Sequence, residues 1–301
     1  MALISIIIPT YNYAEYIQKA IDSVLAQTYK NCEIIVVDDG STDNTQEIIE
    51  NKYKNKVRYY YQENKGAPAA RNEGIKKSEG EYVSFLDADD YLTESSIEDR
   101  LTVLEQNKSI AWVYSKWLYL DTQGNIIFNA FRDAPFLYKD KRKGNVFLAM
   151  LGGALLCTPT VLVRKRCIEE IGGFDERLTA LQDYDLWLRV SHLYPIEYVY
   201  EVLAYVLIHE GSISTTQSAY PSRAIINEKI EKNYGGYLPE LGFKWRRIKA
   251  GEYNYWGEVS LKNGKLKEAL IYYSLSLRKN PFQKQAYYSF FSTFLKRMKF
   301  P

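Results

Sequence analysis

The sequence predicts an α/β protein with a mostly parallel central sheet flanked by helices, followed by a small α-helical C-terminal region. Three observations predict it. Strand-like and helix-like patterns alternate over roughly the first 115 residues, the signature of βαβ units. Three successive strands end in polar or acidic clusters: Thr10-Tyr11-Asn12, Asp38-Asp39 and Asp87-Ala88-Asp89-Asp90. Beyond Arg223 the pattern is helical only.

The elements follow in chain order. Ser5 to Ile8 is a β-branched apolar run closed by Pro9, which reads as a buried strand. Ile17, Ala20, Ile21, Val24 and Leu25 repeat at helical spacing and predict an amphipathic helix. Glu33 to Val37 is a second buried strand. Asn44 with Glu47 three residues on predicts a capping box opening the next helix. Val57 to Tyr61 is a third strand. Pro68 marks the start of a helix that runs to Lys77, and Tyr82 to Leu86 is a fourth strand. Two strand-like runs between Trp112 and Phe128 flank Gln123-Gly124-Asn125, a hairpin signal. Asp183 to His192 reads as a helix and Glu197 to Ile208 as a strand. Gly211 to Ser222 has no apolar period and reads as a loop. The α/β body is expected over residues 1–222 and the helical region over 223–301.

Composition excludes several classes. The chain has 301 residues, 46% hydrophobic and 25% charged, so disorder over its whole length is excluded. No apolar run approaches the ~20 residues that span a bilayer. The first residues lack a basic leader and a small-residue cleavage site, which predicts no signal peptide. Cys32, Cys157 and Cys167 lack metal-type spacing, and a reducing cytoplasm fits them. Two histidines exclude a His-rich metal site. Net charge is +2 but lopsided: Lys244 to Pro301 holds 13 basic and 3 acidic residues, and the rest holds 26 basic and 34 acidic. Such asymmetry suggests an anionic partner for the tail or a solvated helical surface, and nothing in the sequence points to nucleic acid.

In open α/β sheets, ligands sit beyond the carboxyl ends of strands. Carboxylates converging there need a cation or hydrogen-bond donors to offset their repulsion. Asp87-Ala88-Asp89 can offer alternate carboxylates to one hard divalent ion, Mn²⁺ or Mg²⁺, which keeps places for phosphate oxygens.

Five segments in order now resemble a known family, the inverting glycosyltransferases of family 2 with a GT-A fold. They are Ser5 to Asn12, Val37 to Asp43, Gly66 to Gly74, Phe85 to Asp90, and Gly172 to Asp175 followed by Gln182 to Trp187. The resemblance implies a nucleotide-sugar donor and inversion at the anomeric carbon. It implies that Pro9, Thr10 and Tyr11 hold base and ribose, and that Asp39 accepts from a base ring N–H, which suits uracil or thymine, disfavours cytosine and leaves guanine open; a UDP-sugar is the expected donor. Asp38 is left between a ribose contact and a structural role. Arg71 is placed near base and diphosphate, with Lys65 and Gly66 shaping the same wall. Asp89 is implied as the main metal ligand, with Asp87 and Ala88 toward the nucleotide. Asp183 is implied as the general base, with Asp185 turned away by helical spacing. The family usually has an acid where Gln182 stands, and the change touches the acceptor pocket. Trp187 is left between core packing and a sugar platform. His209 opens a segment, with Ser212, that the resemblance implies closes over the diphosphate and binds metal or phosphate.

Tyr253, Trp256, Gly257, Gly264, Ala269, Tyr273 and Pro281 are similar to one tetratricopeptide unit over about residues 250–283. The last aromatic and basic stretch reads as an interfacial or a core-packing helix. Rival enzymes lack their signatures: the first βα turn has no glycine, which excludes a dinucleotide fingerprint, and there is no Walker A sequence. The expectation is a cytoplasmic transferase, peripheral on the inner membrane face, acting on a glycan or lipid-linked acceptor. The alternative is a non-catalytic scaffold acting through the basic tail.

Overall fold

The computed structural model describes residues 1–128, 143–152, 156–209 and 219–299, with side chains to Leu295. The chain divides into two compact units, Met1–Gln217 and Ser218–Pro301.

The first unit holds strands β1 Ile4–Thr10, β2 Cys32–Asp38, β3 Arg58–Tyr61, β4 Tyr82–Phe85, β5 Tyr91–Leu92, β6 Trp112–Leu120, β7 Ile126–Phe128, β8 Leu162–Arg164 and β9 Ile196–Leu207. Its helices are α1 Ile17–Leu25, α2 Thr45–Tyr53, α3 Ala67–Lys77, α4 Ser96–Gln106, α5 Phe147–Leu151, α6 Lys165–Glu170 and α7 Gln182–Leu193. The strands form one sheet in the order β3-β2-β1-β4-β8-β6-β9-β5, with β7 beside β6. Pairing is parallel through β3-β2-β1-β4. Beyond β4 the sheet is mixed: β8 runs antiparallel to both neighbours, whereas β6 and β9 pair in parallel. The three-residue β8 carries no readable period, so the sequence did not announce this reversal.

Every residue of β1 is buried, as its unbroken apolar run requires. Helix α1 presents Ile17, Ala20, Ile21 and Val24 to the same core. Helix α3 lies close on β1 because position 74 is glycine: a Cβ there would fall 2.3 Å from Ile7 Cγ2. The expected capping box at Asn44 is absent. Asn44 makes no side-chain cap, and Asp43 Oδ1 instead accepts from Thr45 N at 3.0 Å while Oδ2 accepts from Ala14 N at 3.1 Å. A cap that also ties down the β1–α1 loop satisfies two elements at once. The hairpin stands, its turn held by Asp121 accepting from Gln123 N and Asn125 N.

The second unit is helical: α8 Tyr220–Tyr234, α9 Leu238–Leu241, α10 Phe243–Lys262, α11 Leu266–Lys279 and α12 Lys284–Lys299. The loop expected to Ser222 therefore ends earlier, since Tyr220 already begins α8. Helices α10 and α11 form a hairpin turned at Gly264, with a positive φ of 74°. Gly257 faces the Tyr273 ring so closely that a Cβ would meet it at 2.5 Å.

Candidate active site

The site is built at the carboxyl ends of β1, β2 and β4, with the start of α7 and the end of β9 closing it. Parallel register sets Thr10 beside Asp38, and Ile7 beside Phe85, so the segments that follow leave the sheet together.

Pro9 and Thr10 are buried, and the Thr10 hydroxyl has no partner among the described residues. Tyr11 is 45% exposed at the strand end. Asn12 has a left-handed backbone (φ 57°), and its Oδ1 accepts from Thr42 N at 2.7 Å, clamping the β1 loop to the β2 loop.

The two adjacent aspartates separate into different roles. Asp38 is fully buried and accepts from Ser41 N at 2.7 Å and from the Tyr59 hydroxyl at 2.8 Å. Each of its oxygens accepts a bond from within the protein and the side chain is enclosed, so Asp38 anchors the loop after β2. Asp39 accepts from Gln62 Nε2 at 2.6 Å and Lys65 N at 2.9 Å on one oxygen, and from Gly66 N at 2.7 Å on the other. That second oxygen retains a lone pair for one more donor. Gly66 starts α3 at φ 93°, where a side chain would be strained.

Arg71 on α3 is 7% exposed and donates through Nη2 to Asp87 Oδ1 at 2.5 Å. Its guanidinium lies 5.5 Å from the Phe174 ring, and its Nε has no partner among the described residues. Next along the chain, Ala88 is buried. Asp89 is held above the ordinary carboxylate range, first by burial and then by Asp87, while His209 relieves part of this. His209 Nε2 lies 3.1 Å from Asp89 Oδ2. The imidazole stacks on Tyr16 at 4.7 Å and meets Tyr13 edge-on. Asp90 Oδ1 accepts from Leu207 N at 3.0 Å, tying the β4 end to the strand that delivers His209.

Asp183 opens α7. Burial raises its proton affinity, and Asp87 adds to this against the favourable field of Arg71. Its Oδ1 accepts from Tyr184 N at 2.8 Å and its Oδ2 from the Thr158 hydroxyl at 3.3 Å. The turn bearing Thr158 is pinned by buried Arg100, which donates to Pro159 O at 3.1 Å. Asp185 faces away as helical spacing requires, paired with Arg189 at 2.8 Å. Gln182 donates to Thr179 O at 2.9 Å. Trp187 is fully buried, stacked on Trp112 at 5.5 Å. It is core, and the sugar-platform role falls, because no sugar can reach an enclosed ring. Ser212 lies outside the described residues.

Sequence reasoning missed Tyr13, Tyr16, Gln62, Phe174 and the Cys157-Thr158 turn. Tyr13 and Tyr16 sit one helical turn apart, the one signal that could have paired them. The Cys157 thiol is pushed well above its ordinary value by burial and by Asp90, Asp183, Asp87 and Asp89 together. One side chain feels the field of all four carboxylates, so they gather near it.

A divalent cation would find Asp89 and His209 already paired, an oxygen and a nitrogen donor. Among the described residues no group of three or more metal-ligating side chains gathers. The pair fits an ion that takes its remaining ligands from diphosphate and water.

The family model described as glycosyl transferase family 2 matches residues 5–172. An uncharacterized glycosyltransferase of Rickettsia typhi is 36% identical over 271 residues, covering 88% of this chain and 82% of the relative. The chondroitin synthase of Escherichia coli is 32% identical over 214 residues, which is 70% of this chain but only 30% of that enzyme. Among solved structures, S. aureus TarS 1-349 in complex with UDP-GlcNAc superposes with a TM-score of 0.63 at 18% identity, over 99% of this chain and 92% of that one. That likeness shows the same fold, the GT-A type with a C-terminal helical region. The match over more than half of the sequence, and the Rickettsia relative along most of it, place this chain in glycosyl transferase family 2.

Proposed function

We propose that the chain is an inverting glycosyltransferase that moves a sugar from a nucleoside-diphosphate donor, UDP-linked, to a hydroxyl of a glycan or lipid-linked acceptor. The observation that carries the reading is Asp183: a carboxylate of raised proton affinity at the start of α7, bonded to Thr158 and within the fields of Arg71 and Asp87. A general base needs that affinity and that position.

Each residue then has a task. Tyr11 offers its ring to the base, and the second oxygen of Asp39 accepts the base imide. The unpartnered Nε of Arg71 suits an oxygen of the nucleotide. Asp89 and His209 would hold Mn²⁺ or Mg²⁺, with Asp87 beside them. The ion, when bound, stabilises charge on the departing diphosphate. Asp183 takes the proton of the acceptor hydroxyl as that oxygen attacks the anomeric carbon and the diphosphate leaves from the opposite face. Gln182 lines the acceptor side at the start of α7. The helical hairpin over residues 250–283 is read as one tetratricopeptide-like unit. The enzyme is read as cytoplasmic, with its basic helices toward the inner membrane face.

Calorimetric titration of UDP, dTDP, GDP and CDP with Mn²⁺, Mg²⁺ and EDTA tests the donor half. UDP alone binding in a metal-dependent way is expected. Equal or absent binding of all four overturns the donor assignment and favours the non-catalytic scaffold.

A further inference from the structure

Helix α12 is packed with its apolar face outward. Its inner face carries Ala286, Ser289 and Thr293, all buried. The Ser289 hydroxyl donates to Glu258 Oε1 on α10 at 2.6 Å, and the Thr293 hydroxyl donates to Ser289 O at 2.7 Å. Small residues and a buried hydrogen bond therefore fix the rotation of the helix. The opposite face, at helical spacing, carries Tyr287, Tyr288, Phe291, Phe294 and Leu295. Tyr288 is 75% exposed, and Phe291 and Leu295 are each 58% exposed. A soluble helix ordinarily turns such a stripe inward, and a contiguous exposed apolar patch marks an interaction surface. Phe282, at the α11–α12 turn, is also 81% exposed.

The charge around this patch selects the partner. From Ala269 to Pro301 the sequence contains no Asp or Glu, against Arg278, Lys279, Lys284, Lys296, Arg297 and Lys299. A second copy of the chain meeting this face through a two-fold axis would set like charges together with no acid to offset them. An anionic lipid surface meets both features, taking aromatic and leucine side chains at the headgroup boundary while its charge attracts the cations. Among the described residues no helix is long and apolar enough to cross a membrane, so contact through this face is interfacial.

We propose that the outward face of α12, with the basic segment that follows Ala269, is a docking surface for an anionic phospholipid membrane. This specifies the membrane contact of the proposed function without depending on the proposed reaction.

The test uses the full chain and vesicles of phosphatidylcholine alone or with about one-third phosphatidylglycerol. Binding to the anionic vesicles, weakened by high salt and negligible on neutral ones, is the expected result. The combined variant Tyr288→Ser, Phe291→Ser, Leu295→Ser should lose at least about tenfold in bound fraction. These three side chains face solvent, so the fold should persist, which circular dichroism checks. Equal binding by variant and parent overturns the proposal, as does no binding by the parent. Parent self-association that the variant abolishes, without lipid binding, overturns it in favour of a second copy. UDP calorimetry on both proteins reads the catalytic unit separately, so a failed donor site and a failed docking surface give different outcomes.

Discussion

Replacing Asp183 with Asn should make the protein more stable and inactive at once. Asn keeps the local bonds: its carbonyl accepts from Tyr184 N, which now lies 2.8 Å from Oδ1, and its amide can donate to the Thr158 hydroxyl. What is lost is the proton acceptor. Loss of a positioned general base costs about 10²- to 10⁴-fold in rate, or about 3–5 kcal/mol of barrier. Stability moves the other way. Burial raises the folded-state pKa of Asp183 above its unfolded value, so the fold favours the protonated acid. That contribution is complete below the ordinary carboxylate range and is lost as pH rises through the raised folded pKa. Asn carries no such charge. The difference in Tm between variant and parent should therefore be larger at pH 7.5 than at about pH 4. Parent kcat should rise with pH along a limb displaced upward from an ordinary aspartate. Calorimetric melting at the two pH values and a pH–rate profile measure both effects. A Tm difference independent of pH, or an Asn variant with parental kcat, refutes the reasoning.

Three other outcomes follow from the same geometry. Arg71→Gln should weaken UDP binding by about 10- to 100-fold, the worth of one or two charge-assisted bonds, and calorimetry would read it. Asp89→Asn and His209→Ala should each lower the Mn²⁺ dependence of UDP binding, while chelation should no longer distinguish the double variant from its metal-loaded form. Gly74→Ala should cost about 1–3 kcal/mol, since the new methyl meets buried Ile7 at 2.3 Å. It should also weaken UDP binding, because the helix that must shift carries Arg71; denaturant melts and titration together test this.

The first half of the sheet was legible because β1 and β2 are unbroken apolar runs, a pattern that only strands buried on both faces adopt. The acidic strand ends were legible for the complementary reason: charge after such a run must face a ligand or a partner. Adjacent letters were harder. Asp38 and Asp39 look alike in sequence, yet the end of β2 points one to Tyr59 and the other to the α3 entrance. Trp187 was half legible: it shares a helix face with Leu186 and Val190, which favours the core, yet indole also serves at surfaces. The Cys157-Thr158 turn was not legible. Its place beside Asp183 is set by Arg100, 59 residues distant in sequence from Pro159, and no local pattern encodes such a tether.

The strained backbone of the catalytic unit points the same way as its charges. Among the described residues only Asn12 and Leu181 hold a positive φ without being glycine, at 57° and 58°. Each such residue costs on the order of 1–3 kcal/mol unless local bonds offset it. Asn12 is compensated by accepting from the loop after β2, and it directly follows the exposed Tyr11. Leu181 turns the chain immediately before α7, two residues from Asp183. A glycine would relax that turn but would let the helix start wander. The β-branched core and the Arg100 tether hold the two walls, and the two left-handed residues aim what stands on them. In the proposed reading one left-handed residue stands beside the donor wall and the other beside the base, where position decides chemistry.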